Sequence, residues 1–409
     1  MRILQINKYF YNGGGADRVF FDTINGLRER GNEVSEFSMH SPKNLPSDYA
    51  KYFVSPIPEK LTGASPSLGT SWKIFQRLFR SPEVEQKLAA LVAFAKPEVA
   101  HVHNAYHHLS ASTFLTLKKL HIPIVLTLHD VFPLCPNHSL LYQERLAEDL
   151  FKNKFYNCSR YKCIDNKFLP SLAGTLEAYY YRLRKIWNNV DAFVCPSQFM
   201  KNKMVEYGFP ANKMHVLPNP FDVGAHGRAP LPLGNKITYL GRIHYEKGIK
   251  MFMEAVKELA DQPVVVAGSG PDDAWVNNFI AQHKLSNVER HGWVSGEKWK
   301  QIMAEAKVVV VPSVFLENCS LTILEAVSHG RIVVATDRGG NSEHVIDGVT
   351  GFLAKPEDPK DLARVIKKAM AVPAVEAEKM VAAGRTLLAR DHNPEKYFGN
   401  LVELYRKVI

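Results

Sequence analysis

The sequence predicts an α/β chain of two doubly wound domains facing one another across a cleft. Three observations carry that expectation. Short apolar runs alternate with amphipathic helical stretches along nearly the whole chain, the pattern of parallel strands joined by helical crossovers. At 409 residues the chain exceeds what a single core comfortably fills. The alternation breaks once, at a Pro/Gly-rich stretch over 218–232 (PNPFDVGAHGRAPLP), and then restarts. The expected division is a first domain over 1–218, a linker over 219–232, a second domain over 233–390, and a terminal helix over 391–409 able to pack back on the first domain.

In the first domain, Arg2–Asn7 reads as a buried strand and Asp17–Arg30 as a helix ended by Gly31. Between them, Gly13, Gly14 and Gly15 permit close backbone approach to a ligand, although the spacing is not the dinucleotide fingerprint GxGxxG; a flexible turn is the alternative. Glu33–Met39 is the second strand, and 41–82, rich in Pro, Ser and Lys, is a long surface excursion. Strands Glu98–His103 and Pro123–Leu128 flank a helix over Ser110–His121. They place His103 and His129 at strand carboxyl ends, where ligand groups of open α/β sheets gather.

An irregular insertion to about Pro170 holds Cys135, Cys158 and Cys163, a candidate structural zinc set with His138 as fourth ligand, although no CxxC pair is present. A disulfide is not expected, because the chain reads as intracellular. Cys195 is most simply a buried small hydrophobe. Helix Leu172–Asn189, strand Ala192–Pro196, helix Gln198–Tyr207 and strand Met214–Leu217 complete the domain.

The second domain repeats the pattern: strand Ile237–Leu240, helix Ile249–Leu259, strand Val264–Ala267, helix Asp273–His283, strand Val288–Gly292, helix Glu297–Ala306, strand Val308–Val311, and strand Ile332–Ala335. Helices over Pro359–Met370 and beyond close the chain, the last over Pro394–Val408. Its organising stretch is Pro312–Gly330 (PSVFLENCSLTILEAVSHG), where an apolar run feeds a loop and a helix begins near Leu321. The free amides of Ser320, Leu321 and Thr322 and the local dipole favour an anion. Glu317 and Glu325, eight positions apart, would accept hydrogen bonds from hydroxyls beside it. That combination suits a nucleotide sugar; the alternative is a solvated loop glutamate and a capping pair of Thr322 and Glu325. Arg242 and Lys247 in the Gly241–Gly248 loop are suited to a diphosphate, one as a planar fork and one as a point charge. Gly268 and Gly270 would let a base or ribose lie against backbone.

Composition (46% hydrophobic, 22% charged) is that of a soluble globular chain. No apolar run reaches membrane-spanning length, and the opening residues lack a signal peptide's pattern, so a cytoplasmic location is expected. The formal charge of +10 favours anionic partners. Without zinc-finger spacing or an arginine-rich tail, nucleic acid is not expected among them. Trp72–Arg80 and Glu177–Trp187 mix aromatic and basic residues, which suits either peripheral contact with an anionic membrane or an ordinary surface helix.

Taken in order, Gly13-Gly14-Gly15-Ala16, His129-Asp130, Gly241-Arg242 with Glu246-Lys247-Gly248, Gly268-Ser269-Gly270, and Glu317-x7-Glu325 followed by Gly330 resemble the family 4 retaining glycosyltransferases. The resemblance implies the GT-B fold, two Rossmann-like domains across a cleft, and a hexosyltransferase that takes a nucleotide-diphosphate sugar and needs no cofactor or metal. It implies that Gly14 and Gly15 approach the donor, His129 meets the transferred sugar, Arg242 and Lys247 carry the diphosphate, Glu317 holds sugar hydroxyls and Glu325 the ribose. Many members place a small residue such as glycine or proline where this chain reads Asn318-Cys319-Ser320. The cysteine-bearing insertion is similar to that of a subgroup in bacterial surface-polysaccharide assembly, which implies a glycan or lipid-linked glycan acceptor at the inner face of the cytoplasmic membrane. A GT-B epimerase or phosphorylase, or a non-catalytic nucleotide-sugar-binding protein, are the rival expectations.

Overall fold

The structure, a computed structural model, describes residues 1–57, 77–223 and 233–409. Residues 72–76 of the first aromatic-basic segment and 224–232 of the expected linker lie outside them.

Two six-stranded parallel sheets form the framework. The first contains β1 (Arg2–Ile6), β2 (Glu33–Phe37), β3 (Val99–Val102), β4 (Ile124–Thr127), β7 (Ala192–Cys195) and β8 (Met214–Val216), in the order β2-β1-β3-β4-β7-β8. Between β4 and β7 the insertion contributes only the two-residue antiparallel pair β5 (Leu141–Tyr142) and β6 (Arg145–Leu146). The second sheet contains β9 (Lys236–Leu240), β10 (Val264–Ala267), β11 (Val288–His291), β12 (Ala306–Val311), β13 (Ile332–Thr336) and β14 (Phe352–Ala354), in the order β11-β10-β9-β12-β13-β14. Helices cover both faces, so the central strands are apolar on both sides; Val264–Ala267 and Ile332–Thr336 are buried throughout. The sequence reading did not name β14, a three-residue edge strand.

This order sets the positions of the loops. In each sheet the winding reverses beside the first strand, between β1 and β3 and between β9 and β12. The loops leaving those four strands meet in a crevice outside their carboxyl ends. They are the glycine turn, the His103 segment, the Arg242–Lys247 loop and the Glu317 loop.

The Pro394–Val408 helix returns to the first domain. A Cβ on Gly26, within the Gly15–Glu29 helix, would lie 2.0 Å from Cζ of Phe398, so glycine there admits the aromatic ring. Tyr405, fully buried, places its hydroxyl 2.6 Å from Nδ1 of His101. Farther along, the expected helix Leu172–Asn189 runs instead from Phe168 to Leu183. Lys185, in the left-handed region at φ +50°, turns the chain there into a separate 3-10 turn over Ile186–Asn189.

Candidate functional site

The strand β12 delivers the Glu317 loop, and the helix Leu321–Ser328 begins directly after it with Ser320 as N-cap. The Ser320 side chain makes no capping bond. The capping pair of Thr322 and Glu325 is not formed either, because Glu325 pairs with Arg18 of the opposite domain. Burial raises the Glu325 carboxyl above its ordinary range, and Arg18 opposes that shift. Arg18 lies one turn beyond the glycine loop, and a Cβ on Gly15 would stand 3.3 Å from Cδ1 of Leu321. Gly14 is the N-cap of its helix, and the space over its α-carbon is open for 4 Å. The two domains therefore meet glycine turn to helix start.

Glu317 is almost fully buried and accepts from Nζ of Lys247 at 2.9 Å and from Oγ of Ser313 at 2.5 Å. Arg242 is turned away from this pair: its guanidinium is half exposed and donates to Glu246 at 2.8 Å. The two cations expected to act together thus rest on different carboxylates, Lys247 inside the crevice and Arg242 at its rim. Gly268 and Gly270 differ from expectation. Cβ atoms there would lie 1.8 Å from the Gly241 carbonyl oxygen and 2.2 Å from that of Ile243. The close approach they permit is to the chain's own backbone, and they fix the Arg242 loop against the turn after β10.

From the first domain, His129 reaches the crevice through a buried chain. Its Nε2 is 2.8 Å from Nδ1 of His103, whose Nε2 is 3.2 Å from Oε1 of Gln5. Loss of hydration pushes His129 down to about 4 and His101 down to about 3, so both rings are neutral at pH 7. Beside them a second chain runs from the buried Glu177 to Nδ1 of His107, from Nε2 of His107 to Nε2 of His138 at 2.7 Å, and from Nδ1 of His138 to Asp130 at 3.2 Å. His107 and His138 both sit at positive φ, +54° and +60°. Such backbone persists where surrounding contacts impose it. Both rings line a crevice of about 510 Å³ that His244, Glu246, Lys250 and Asp272 close from the other domain.

Several cross-domain contacts were not read from the sequence. Asn318 accepts from Ser197 Oγ at 2.8 Å and donates to the Leu128 carbonyl. Glu343 accepts from the amides of Gln198 and Phe199 at 2.8 and 2.6 Å, which places its charge on the N-terminus of the Gln198–Glu206 helix. The one available signal was Asn318 itself, the polar residue standing where the family pattern has a small one. Behind it, Cys319, His344 and His392 bring potential ligand atoms within 4.8 Å of one another, the one such cluster among the described residues. His392 Nδ1 donates to the Asn219 carbonyl at 2.7 Å, and its Nε2 is 3.3 Å from Nδ1 of His344.

The expected zinc set is not assembled. Cys158 and Cys163 are joined in a disulfide, contrary to expectation, and Cys135 is buried with its thiol donating to Asn137. The bond removes two ligands from the set and closes one turn of the insertion.

Residues 13–224 match the family described as Glycosyltransferase Family 4, and residues 234–372 match Glycosyl transferases group 1. The first match alone spans more than half of the chain. The chain belongs to glycosyltransferase family 4. A lipopolysaccharide 1,2-N-acetylglucosaminetransferase of Salmonella typhimurium is 28% identical over 207 residues, 45% of this chain and 54% of the relative. The matched part thus spans about half the length of that curated relative. An uncharacterized 42.6 kDa protein in the cps region of Klebsiella pneumoniae is 22% identical over 356 residues, 84% of this family 4 chain and 87% of the relative. The structure of Anabaena Alr3699/HepE in complex with UDP and glucose superposes with a TM-score of 0.68 and 18% identity, covering 100% of both chains. The fold is GT-B.

Proposed function

We propose that this family 4 member is a retaining glycosyltransferase that moves a sugar from a nucleotide-diphosphate donor to a glycan or lipid-linked glycan acceptor in surface-polysaccharide synthesis. The observation that carries the reading is the meeting of the Gly13–Gly15 turn with the start of the Leu321–Ser328 helix, flanked by Lys247–Glu317 on one side and Arg18–Glu325 on the other.

In this reading the diphosphate lies over the free amides of Leu321 and Thr322, with Ser320 beside them. Lys247 and Arg242 leave their present carboxylates to meet the phosphate oxygens. Glu325 exchanges Arg18 for the ribose hydroxyls, and Glu317 holds hydroxyls of the sugar next to the anomeric carbon. As the bond from that carbon to the diphosphate breaks, positive charge at carbon and negative charge on the leaving group are each opposed by a placed charge. Neutral His129 offers a hydrogen bond to the sugar without adding a cation there. The acceptor oxygen attacks on the departure face, which retains the anomeric configuration, and its proton passes to the departing phosphate oxygen on that same face. Two side-chain cations and helix amides supply the neutralisation a divalent ion would otherwise give.

The UDP and glucose of the Anabaena structure make a UDP-sugar the first donor to try. The test is a thermal-shift screen of UDP-, GDP- and ADP-sugars in the presence of EDTA. A rise in Tm with one of them supports a metal-independent donor site and identifies the base. No response to any would overturn the site as drawn.

A further inference from the structure

Outside the crevice, the first domain forms a half-open cavity of about 530 Å³ between the Phe168–Leu183 helix, the turn that follows it and the segment around Tyr207–Lys213. Phe132, Phe155, Trp187 and Phe209 line it. Two phenols in the same wall, Tyr181 (1% exposed) and Tyr207, have hydroxyls without a hydrogen-bond partner. Burial, with the nearby Glu177 charge, holds the Tyr181 hydroxyl protonated, so it is a donor awaiting an acceptor. Arg182, Lys185 and Lys213 stand around the cavity, and among the described residues no carboxylate lines it, although Glu177 lies near Tyr181 and Glu148 and Glu206 near Tyr207; Glu144, Asp165, Glu246 and Asp272 all line the crevice. Aromatic walls, two unanswered donors and three lining cations suit a molecule with an apolar chain and an anionic head.

The outer face of the same helix indicates where such a molecule comes from. Leu169, Leu176 and Leu183, seven residues apart and so on one face, are 73%, 40% and 78% exposed. Arg182, Arg184 and Lys185 follow at the end of that stripe, all exposed. An apolar stripe ending in cations complements the surface of an anionic bilayer. The cavity and the crevice share a wall: Phe132 lines the cavity and stacks on His138, 4.7 Å between ring centres, and His138 lines the crevice.

We propose that this cavity binds the phosphorylated lipid end of a membrane-borne acceptor, with the Leu169–Leu183 face resting on the bilayer that supplies it. The proposal rests on the lipid-linked acceptor of the preceding reading and adds the place where the lipid phosphate is held. The cations and phenols take the phosphate oxygens, and the aromatic walls take the first part of the chain.

The test is calorimetric titration of the whole chain with farnesyl phosphate, below its aggregation concentration, beside farnesol and inorganic phosphate. Farnesyl phosphate is expected to bind at least about tenfold more tightly than farnesol, with inorganic phosphate failing to compete at the same concentration. Arg182→Glu with Lys185→Glu should cost at least about tenfold in affinity, and Tyr181→Phe a smaller factor, with Tm as the control for folding. Equal binding of the phosphate and the alcohol, competition by inorganic phosphate, or an unchanged affinity in the charge-reversed variant would each overturn the site. Because the titration uses no donor, its failure counts against the lipid site alone, and the thermal-shift screen judges the donor site separately.

Discussion

The two walls of the crevice are built from different chemistry. The second domain presents charges already in contact with one another: Lys247 on Glu317, and Arg242 on Glu246. The first domain presents imidazoles tied into buried hydrogen-bonded chains, with His101 and His129 held neutral by burial. A wall of paired ions can exchange partners when a charged ligand enters, because each ion is only redirected. A wall of neutral, desolvated rings keeps its geometry and offers direction in place of charge. The charged donor proposed above would suit the first kind, and the proposed acceptor hydroxyl or sugar the second.

The sharpest way to break this contrast is Lys247→Ala. It should lower kcat/KM by on the order of 2–4 kcal/mol of transition-state stabilisation, and Tm should also fall, because Glu317 keeps only Ser313 as a side-chain partner. Unchanged turnover in a folded variant would remove Lys247 from the chemistry. Next in size, Glu325→Ala should weaken nucleotide-sugar binding by about 1.5–3 kcal/mol, the range for a hydrogen bond to a charged group. Calorimetry giving the same affinity as the parent would leave Glu325 only its contact with Arg18.

The first wall is probed by acid. His129 and His101 have folded pKa values pushed down to about 4 and about 3, against an ordinary 6.5. Between those values the unfolded chain binds more protons than the folded one, so stability present above pH 6.5 is lost as pH falls toward 4. Tm should therefore decline progressively between pH 6.5 and pH 4. A flat profile over that interval would show that the rings titrate normally and that the wall is not desolvated. The smallest expected effect is Ser197→Ala, which removes the bond to Asn318 and the N-cap bond to Met200. It should cost about 0.5–2 kcal/mol in denaturant unfolding, and no change would mean that solvent replaces both bonds.

The second domain's wall was far more legible in the sequence than the first domain's, for a physical reason. Glu317, Glu325 and the amides between them belong to one strand-loop-helix unit, so their spacing along the chain fixes their spacing in space. Arg242 and Lys247 share one loop. Arg18, Ser197 and Glu343 reach the site only because two separately wound sheets face one another, and nothing local to any of them encodes its partner. The chain Glu177–His107–His138–Asp130 likewise joins three segments of the first domain. Glu177 had been grouped with a surface segment, yet its side chain is fully buried and bonded to His107. The parallel strands were legible through their unbroken apolar runs, with the edge strand β14 as the exception. At Gly268 and Gly270 a need for glycine was visible, and the neighbour that requires it in this structure is the Gly241–Ile243 backbone.

That four-residue chain is also a mechanical link. Glu177 belongs to the Phe168–Leu183 helix, His107 follows β3, and His138 and Asp130 belong to the insertion after β4. Three segments distant in sequence are thus tied in series, and a shift of the helix is passed through two rings to the residue next to His129. The helix and the insertion therefore act on the crevice as one piece.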